Sequence, residues 1–259
     1  MAGHSKWANI QHRKGRQDKA RSKLFSKLAK DIAIASKMGG PDPDMNPRLR
    51  LAINNAKGQS MPKDNIQRAV DKGAGGDGDD YEEIRYEGFG PGGIGFIVEA
   101  STDNKNRAAM AVRTAFSKNG GALGETGSVA FMFDQAGKIE YDLNVTDEDG
   151  MMEAAIEAGA DDCESDSAAD DQWDEYEPVH TIWTARDDLG SVAAELEKKF
   201  GEAKSVNLVW KAQNDIDNPD QAAAVVRLQD ALEDVDDVST VFHNFAMTEA
   251  AMATLEDDE

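Results

Sequence analysis

Between His4 and Lys14 the chain reads His4-Ser5-Lys6-Trp7-Ala8-Asn9-Ile10-Gln11-His12-Arg13-Lys14. Cations in such a run pair with phosphates, an indole stacks on a base or ribose, and the Asn9 and Gln11 amides hydrogen-bond to base edges. The cations continue as Arg16, Lys19, Lys23, Lys27 and Lys30, a stripe at helical spacing with no acid in it. Lysines and arginines also populate ordinary solvated faces, and the missing acids are what favour a polyanion as the ligand. Six of these cations on phosphates give a slope of log K against log salt of roughly −4 for single strands or −5 for duplex.

Other residue types offer less chemistry. His4 and His12 suit metal ligation or RNA cleavage, but the chain has four histidines and one cysteine, so neither has a partner set. Cys163 sits among acids that raise a thiol pKa. Gly88-Phe89-Gly90-Pro91-Gly92-Gly93 matches G-x-G-x-x-G, yet a dinucleotide site requires a helix next. Here Ile94–Ala100 reads as a second strand, and Pro91 lacks the N–H a phosphate cradle uses. The acidic residues Asp161 to Glu175 lack the oxygen spacing and central Gly of a calcium loop. No G-x-S-x-G or P-loop occurs. The expectation is a protein without catalytic residues, cofactor or metal.

These side chains need elements to hold them. Residues 16–38 read as an amphipathic helix, with Leu24, Phe25, Leu28, Ile32 and Ala35 on its apolar face, stopped by Gly39-Gly40-Pro41. Asn46 caps a second helix with Pro47 at its first position, and Leu49, Ala52, Ile53 and Ala56 form its apolar side. A third begins near Pro62, carries Ile66, Ala69 and Val70, and ends at Gly73. A helix-turn-helix is no more than any three-helix domain offers. Residues 1–76 carry +10; the whole chain is −22, which leaves −32 for the rest. One end is built to meet a polyanion and the remainder to repel one.

A Gly/Asp linker, 73–80, separates the two. Beyond it, strands at 81–89 and 94–101 flank a Gly/Pro turn, and Asp103 or Asn104 caps a helix to Ser117. Ser128–Phe133 and Lys138–Leu143 read as a hairpin about Gly137. A helix led by Thr146-Asp147-Glu148-Asp149 then runs to Gly159. A strand near Asp161–Ser165, another at Val179–Ala185, a helix at Leu189–Phe200 and a strand at Ser205–Trp210 follow. The order from 138 to 210 is the split βαβ arrangement. A helix at Pro219–Leu232 and a strand at Val238–Phe242 complete the sheet begun at 81–133. The expected fold is α+β with three domains: a basic helical domain at 1–76, an α+β domain at 77–133 plus 211–245, and a ferredoxin-like domain at 134–210 inserted in it. Residues 246–259 read as an acidic tail.

Met1 to Ile10, Met61 to Ala69, Tyr86 to Gly93 and Gly120 to Val129 together resemble the YebC family of probable transcriptional regulators, which includes a mitochondrial translational activator. The likeness runs in order across about half the chain. It implies a three-domain protein that binds nucleic acid without catalysis, through Lys6, Trp7, His12, Arg13, Lys14, Arg16, Lys19, Arg21, Lys23 and Lys27. The implied function is DNA-binding transcriptional regulation, with rRNA binding on the ribosome and relief of stalling at stretches such as polyproline as the alternative. No apolar run reaches the ~20 residues that span a bilayer, and no apolar segment follows the basic residues as in a secretory signal. With the family motif at Met1, a cytoplasmic monomer is expected, with neither membrane nor small-molecule substrate as partner.

Overall fold

The computed structural model describes residues 17–75, 81–166 and 178–257, with side chains over 21–75, 81–166 and 178–255. Helices α1 (Gln17–Gly39), α2 (Pro47–Gly58) and α3 (Lys63–Ala74) open it. Their core gathers Ile32, Ala35, Leu49, Ala56, Met61, Ile66, Ala69 and Val70, with Phe25, Leu28, Ala52 and Ile53 at its margin. Asn46 organises the entry to α2. Its side-chain oxygen accepts from Leu49 N (3.1 Å), and its amide donates to Ala35 O and Gly40 O (both 2.8 Å), tying the new helix to the end of α1. Gly73 lets α3 cross α1 closely, since a Cβ there would lie 2.3 Å from Ala33 O. Leu24, expected on the apolar face, is 38% exposed, because the fully buried part of α1 begins only at Ile32.

Strands β1 (Glu82–Phe89) and β2 (Gly95–Thr102) form an antiparallel hairpin, followed by α4 (Lys105–Lys118), capped by Asn104, and the two-residue β3 (Ala122–Leu123). The G-x-G-x-x-G motif is the turn of that hairpin. Gly92 and Gly93 hold φ of 70° and 78° there, conformations that favour glycine. A Cβ on Gly90 would meet the Phe96 ring at 2.5 Å.

The chain then builds β4 (Phe133–Asp142), α5 (Glu148–Ala158), β5 (Asp162–Ser165), β6 (Val179–Ala185), α6 (Leu189–Phe200) and β7 (Ser205–Ala212). Their sheet order, β5-β6-β4-β7, is that of a ferredoxin-like domain, with α5 and α6 closing over Ile139, Tyr141, Cys163 and Ile182. The expected hairpin about Gly137 is absent. β4 runs through that residue, which faces Thr184 on β6. Glycine is required there by close packing instead of a turn, since a Cβ would stand 2.2 Å from Thr184 Oγ1 and 2.7 Å from a Leu189 methyl.

Helix α7 (Ala222–Glu233), strand β8 (Val238–His243) and helix α8 (Glu249–Asp257) finish the chain. β8 joins the first sheet, giving the order β3-β1-β2-β8, and α4 and α7 pack together over it, with Phe96 edge-on to Phe116 at 6.0 Å. Residues read from composition as an acidic tail thus include a helix that buries Ala251 fully. Among the described residues, 17–75 and 135–209 form one compact unit and 81–134 and 210–257 another.

Candidate nucleic-acid interface

Only part of the expected contact surface lies within the described residues. Lys6, Trp7, His12, Arg13, Lys14 and Arg16 fall outside them, and Lys19 is placed on α1 by its backbone alone. Arg21 is exposed, its guanidinium 5.5 Å from the Phe25 ring centre. That stack leaves the charge available while fixing the side chain on the helix. Lys23, Lys27 and Lys30 are half-buried, and each interacts within the chain.

The three-helix domain offers more cations than the stripe. Arg48, Arg50, Lys57, Lys63, Arg68 and Lys72 are exposed on α2 and α3. Arg50 is committed to the connection before α2, donating to Pro43 O (3.1 Å) and Asp44 O (3.0 Å). Arg68 donates to Asp64 O (3.2 Å) and Asn65 Oδ1 (2.9 Å) on its own helix. Sequence reading passed over these because they are scattered over two helices and never form a stripe. Their net positive count was the available signal.

The domain is held from one side. Asn55 on α2 donates to Val206 O (3.2 Å) and Asn207 Oδ1 (2.8 Å) and accepts from Val206 N (3.0 Å). β7 is an edge strand of its sheet, so Asn55 occupies the unpaired positions a further strand would take. Lys57 pairs with Glu202 at 3.1 Å beside it.

His180 and Cys163, a potential base and a potential nucleophile, are both buried. His180 is 1% exposed, its Nε2 3.1 Å from Thr146 O and its Nδ1 2.6 Å from Ser165 Oγ. A carbonyl only accepts, so Nε2 carries the proton and Nδ1 takes the Ser165 hydroxyl. The Cys163 thiol is pushed up to about 11 by burial and by the nearby Asp162, Glu148 and Glu164, which suppresses the reactive thiolate. Among the described residues no group of three His, Cys, Asp or Glu is placed to hold a metal ion, and no helix is long and apolar enough to cross a membrane.

Glu87 and Glu99 are carboxylates with opposite shifts, an arrangement that in an enzyme separates acid from base. Here Glu99 is raised, chiefly by burial, against the hydrogen bond it accepts from Trp210 Nε1 (2.8 Å). Burial acts on Glu87 in the same direction, but the N–H groups of Val129, Gly127 and Ala130 and the nearby Arg85 outweigh it and hold the carboxyl below its ordinary value. Its Oε2 accepts at 3.0 Å from Val129 N and 2.9 Å from Ala130 N, while Arg85 Nε stands 3.1 Å from Oε1. Glu87 therefore joins the Tyr86–Gly93 segment to the Gly120–Val129 segment, which gives both glycine-rich stretches a folding role. Glu87→Gln is expected to cost about 2–3 kcal/mol at neutral pH, since the amide loses charge-assisted acceptance and turns donors toward Arg85. A depressed folded pKa stabilises above the unfolded pKa and stops stabilising as pH falls through the folded one. The gap in urea midpoint between wild type and variant should accordingly narrow below about pH 4; a gap constant down to acid unfolding would contradict this assignment.

A cationic three-helix domain together with two α+β domains, one of them ferredoxin-like, defines the class of multidomain α+β protein to which the chain is assigned by its architecture. The chain matches the TACO1/YebC protein N-terminal domain over residues 5–76 and the TACO1/YebC second and third domain over residues 81–245. It is 62% identical over 257 residues to a probable transcriptional regulatory protein of Maricaulis maris, covering 99% of this chain and 100% of the relative. A crystal structure of a conserved hypothetical protein from Aquifex aeolicus superposes with a TM-score of 0.79 at 41% identity, covering 93% of this chain and 96% of that one. The chain belongs to the TACO1/YebC family.

Proposed function

We propose that this protein is a non-enzymatic, cytoplasmic regulator of transcription that binds DNA through its basic N-terminal domain. The observation that carries the reading is the charge separation, +10 over residues 1–76 against −32 over the remainder. Such a chain approaches a polyanion with one end, while repulsion acting over about a Debye length, ~10 Å at 0.1 M salt, holds the acidic body away. The name of the Maricaulis relative supports the regulatory role. Contacts to backbone phosphates position such a domain without specifying sequence, so Trp7, Asn9 and Gln11 are the candidates for base readout.

The resemblance to a family that includes a mitochondrial translational activator favours a second reading, in which the same surface holds ribosomal RNA and the protein relieves stalling at difficult sequences. Crosslinking in cells followed by sequencing of the bound nucleic acid separates the two. Promoter DNA among the crosslinks, with unchanged ribosome pausing in a deletion strain, supports the first. Ribosomal RNA among them, with new pauses at particular codon runs, overturns it in favour of the second.

A further inference from the structure

Twelve cations follow residue 76, against forty-four acids. In so acidic a body most cations find a carboxylate. Arg85, Lys105, Arg107, Lys138, Lys198, Lys199 and Lys204 each do, and Lys211 also has an interaction within the chain. Among the described residues, Arg113, Lys118, Arg186 and Arg227 make no ion pair. Three of these four lie on the adjoining helices α4 and α7. The sequence around α4 shows why. From Asn104 to Gly124 there are four cations and no acid, the opposite of the body's composition.

The two helices run antiparallel. Arg107 in the first turn of α4 makes a bidentate pair with Asp237, just beyond the end of α7, at 3.0 Å and 2.6 Å. Lys118, at the far end of α4, lines one groove with Ala231 of α7, and Arg227 sits one turn before Ala231 on that helix. Between the helices lies an open groove of about 500 Å³, lined by Met110, Ala111, Thr114, Lys118, Ala231 and Val235 among others. Arg227 precedes Ala231 and Val235 at four-residue intervals, so it continues the same wall of the groove. On α4, Asn106, Arg113 and Ser117 form the ridge next to the groove wall, all of them exposed. The groove thus holds an ion pair at its Arg107–Asp237 end, while Lys118 and, one turn before Ala231, Arg227 make none among the described residues.

We propose that Arg113, Lys118 and Arg227 form a second polyanion contact, which takes the phosphate backbone of a nucleic acid already held by the N-terminal domain. The proposal rests on the nucleic-acid reading of that domain. Unpaired cations next to a large negative charge are where a polyanion meets least repulsion, and an open groove admits an extended strand that a closed pocket excludes. Two linked sites on one strand gain by effective concentration. The second site strengthens binding only of a nucleic acid long enough to reach both.

The test compares the full-length protein with Arg113→Glu/Lys118→Glu/Arg227→Glu and with the milder Arg113→Gln/Lys118→Gln/Arg227→Gln, which removes charge without adding repulsion. The probes are an oligonucleotide of about 8 residues, within the span of one single-strand site, and one of about 40, each as single-stranded RNA, single-stranded DNA and duplex DNA. Three lost phosphate contacts flatten the salt slope by about 2 and lower affinity for the long probe by about 10- to 100-fold, with binding of the short probe changed little. The glutamine variant should give the smaller loss. Unchanged binding of the long probe by both variants, with wild-type binding intact, overturns the second contact and leaves the N-terminal reading standing; the surface would then fall to a protein partner or to solvent. Absence of wild-type binding to either probe overturns both.

Discussion

Arg21→Glu/Lys23→Glu/Lys27→Glu lowers affinity for single-stranded nucleic acid by at least about 100-fold at 0.1 M salt and flattens the salt slope by about 2, the share expected of three phosphate contacts. The loss should be nearly independent of sequence, because backbone contacts carry no base information. Arg21 is exposed and ready to meet a phosphate, whereas Lys23 and Lys27 are half-buried and engaged within the chain. A bound strand must compete for those two, so the single variant Arg21→Glu is expected to account for more than a third of the effect. The fold should tolerate the change. The Arg21–Phe25 stack is worth about 0.5–1 kcal/mol at an exposed site, and the core of the domain rests on Ile32, Leu49, Ile66 and Val70. A circular-dichroism melt within a few degrees of wild type is the control. Normal binding by the triple variant would return α1 to an ordinary solvated face.

How much of this was legible depended on whether the cause was local. The caps at Asn46 and Asn104 could be read because the side chain serves backbone within three residues of itself. The helical cores at Leu49, Ala56, Ile66 and Val70 could be read because period and burial coincide. Gly137 could not. Its reason is a methyl of Leu189 and the hydroxyl of Thr184, about fifty residues away, and without them a glycine between two apolar runs reads as a turn. Helix α8 was hidden by its own acids, which mask the alanine that docks it. For the interface, charge was visible but availability was not. The sequence reading placed five cations in one stripe, yet three of them are half-buried and engaged. Arg113, Lys118 and Arg227 stand apart only once every neighbouring carboxylate has been assigned.

Gly58→Val is expected to destabilise the unit containing the helical and ferredoxin-like domains by about 3 kcal/mol, the upper part of the range for overpacking. The cause is steric. A Cβ at Gly58 would stand 2.0 Å from Lys204 O and 3.0 Å from its carbonyl carbon, backbone that no rotamer change can move aside. Relief requires α2 to retreat from β7, and the retreat pulls Asn55 from Val206 and Asn207. Asn55→Ala removes the same hydrogen bonds without the clash and should cost less, about 1–2 kcal/mol, because the part-buried edge of β7 can recruit water. Since both substitutions disrupt one junction, their combined cost should fall short of the sum. Hydrogen exchange locates the damage. The Val206 amide, which donates to Asn55, should exchange faster in both variants, while Ile139 and Ile182, inside the ferredoxin-like core, keep their protection in Asn55→Ala. Wild-type exchange at Val206 in both variants would mean that Asn55 and Gly58 do not hold this edge. If it does loosen, the cationic domain loses its fixed bearing on the acidic ferredoxin-like domain. Salt dependence of nucleic-acid binding should then steepen slightly as that negative charge moves off, with no basic residue altered.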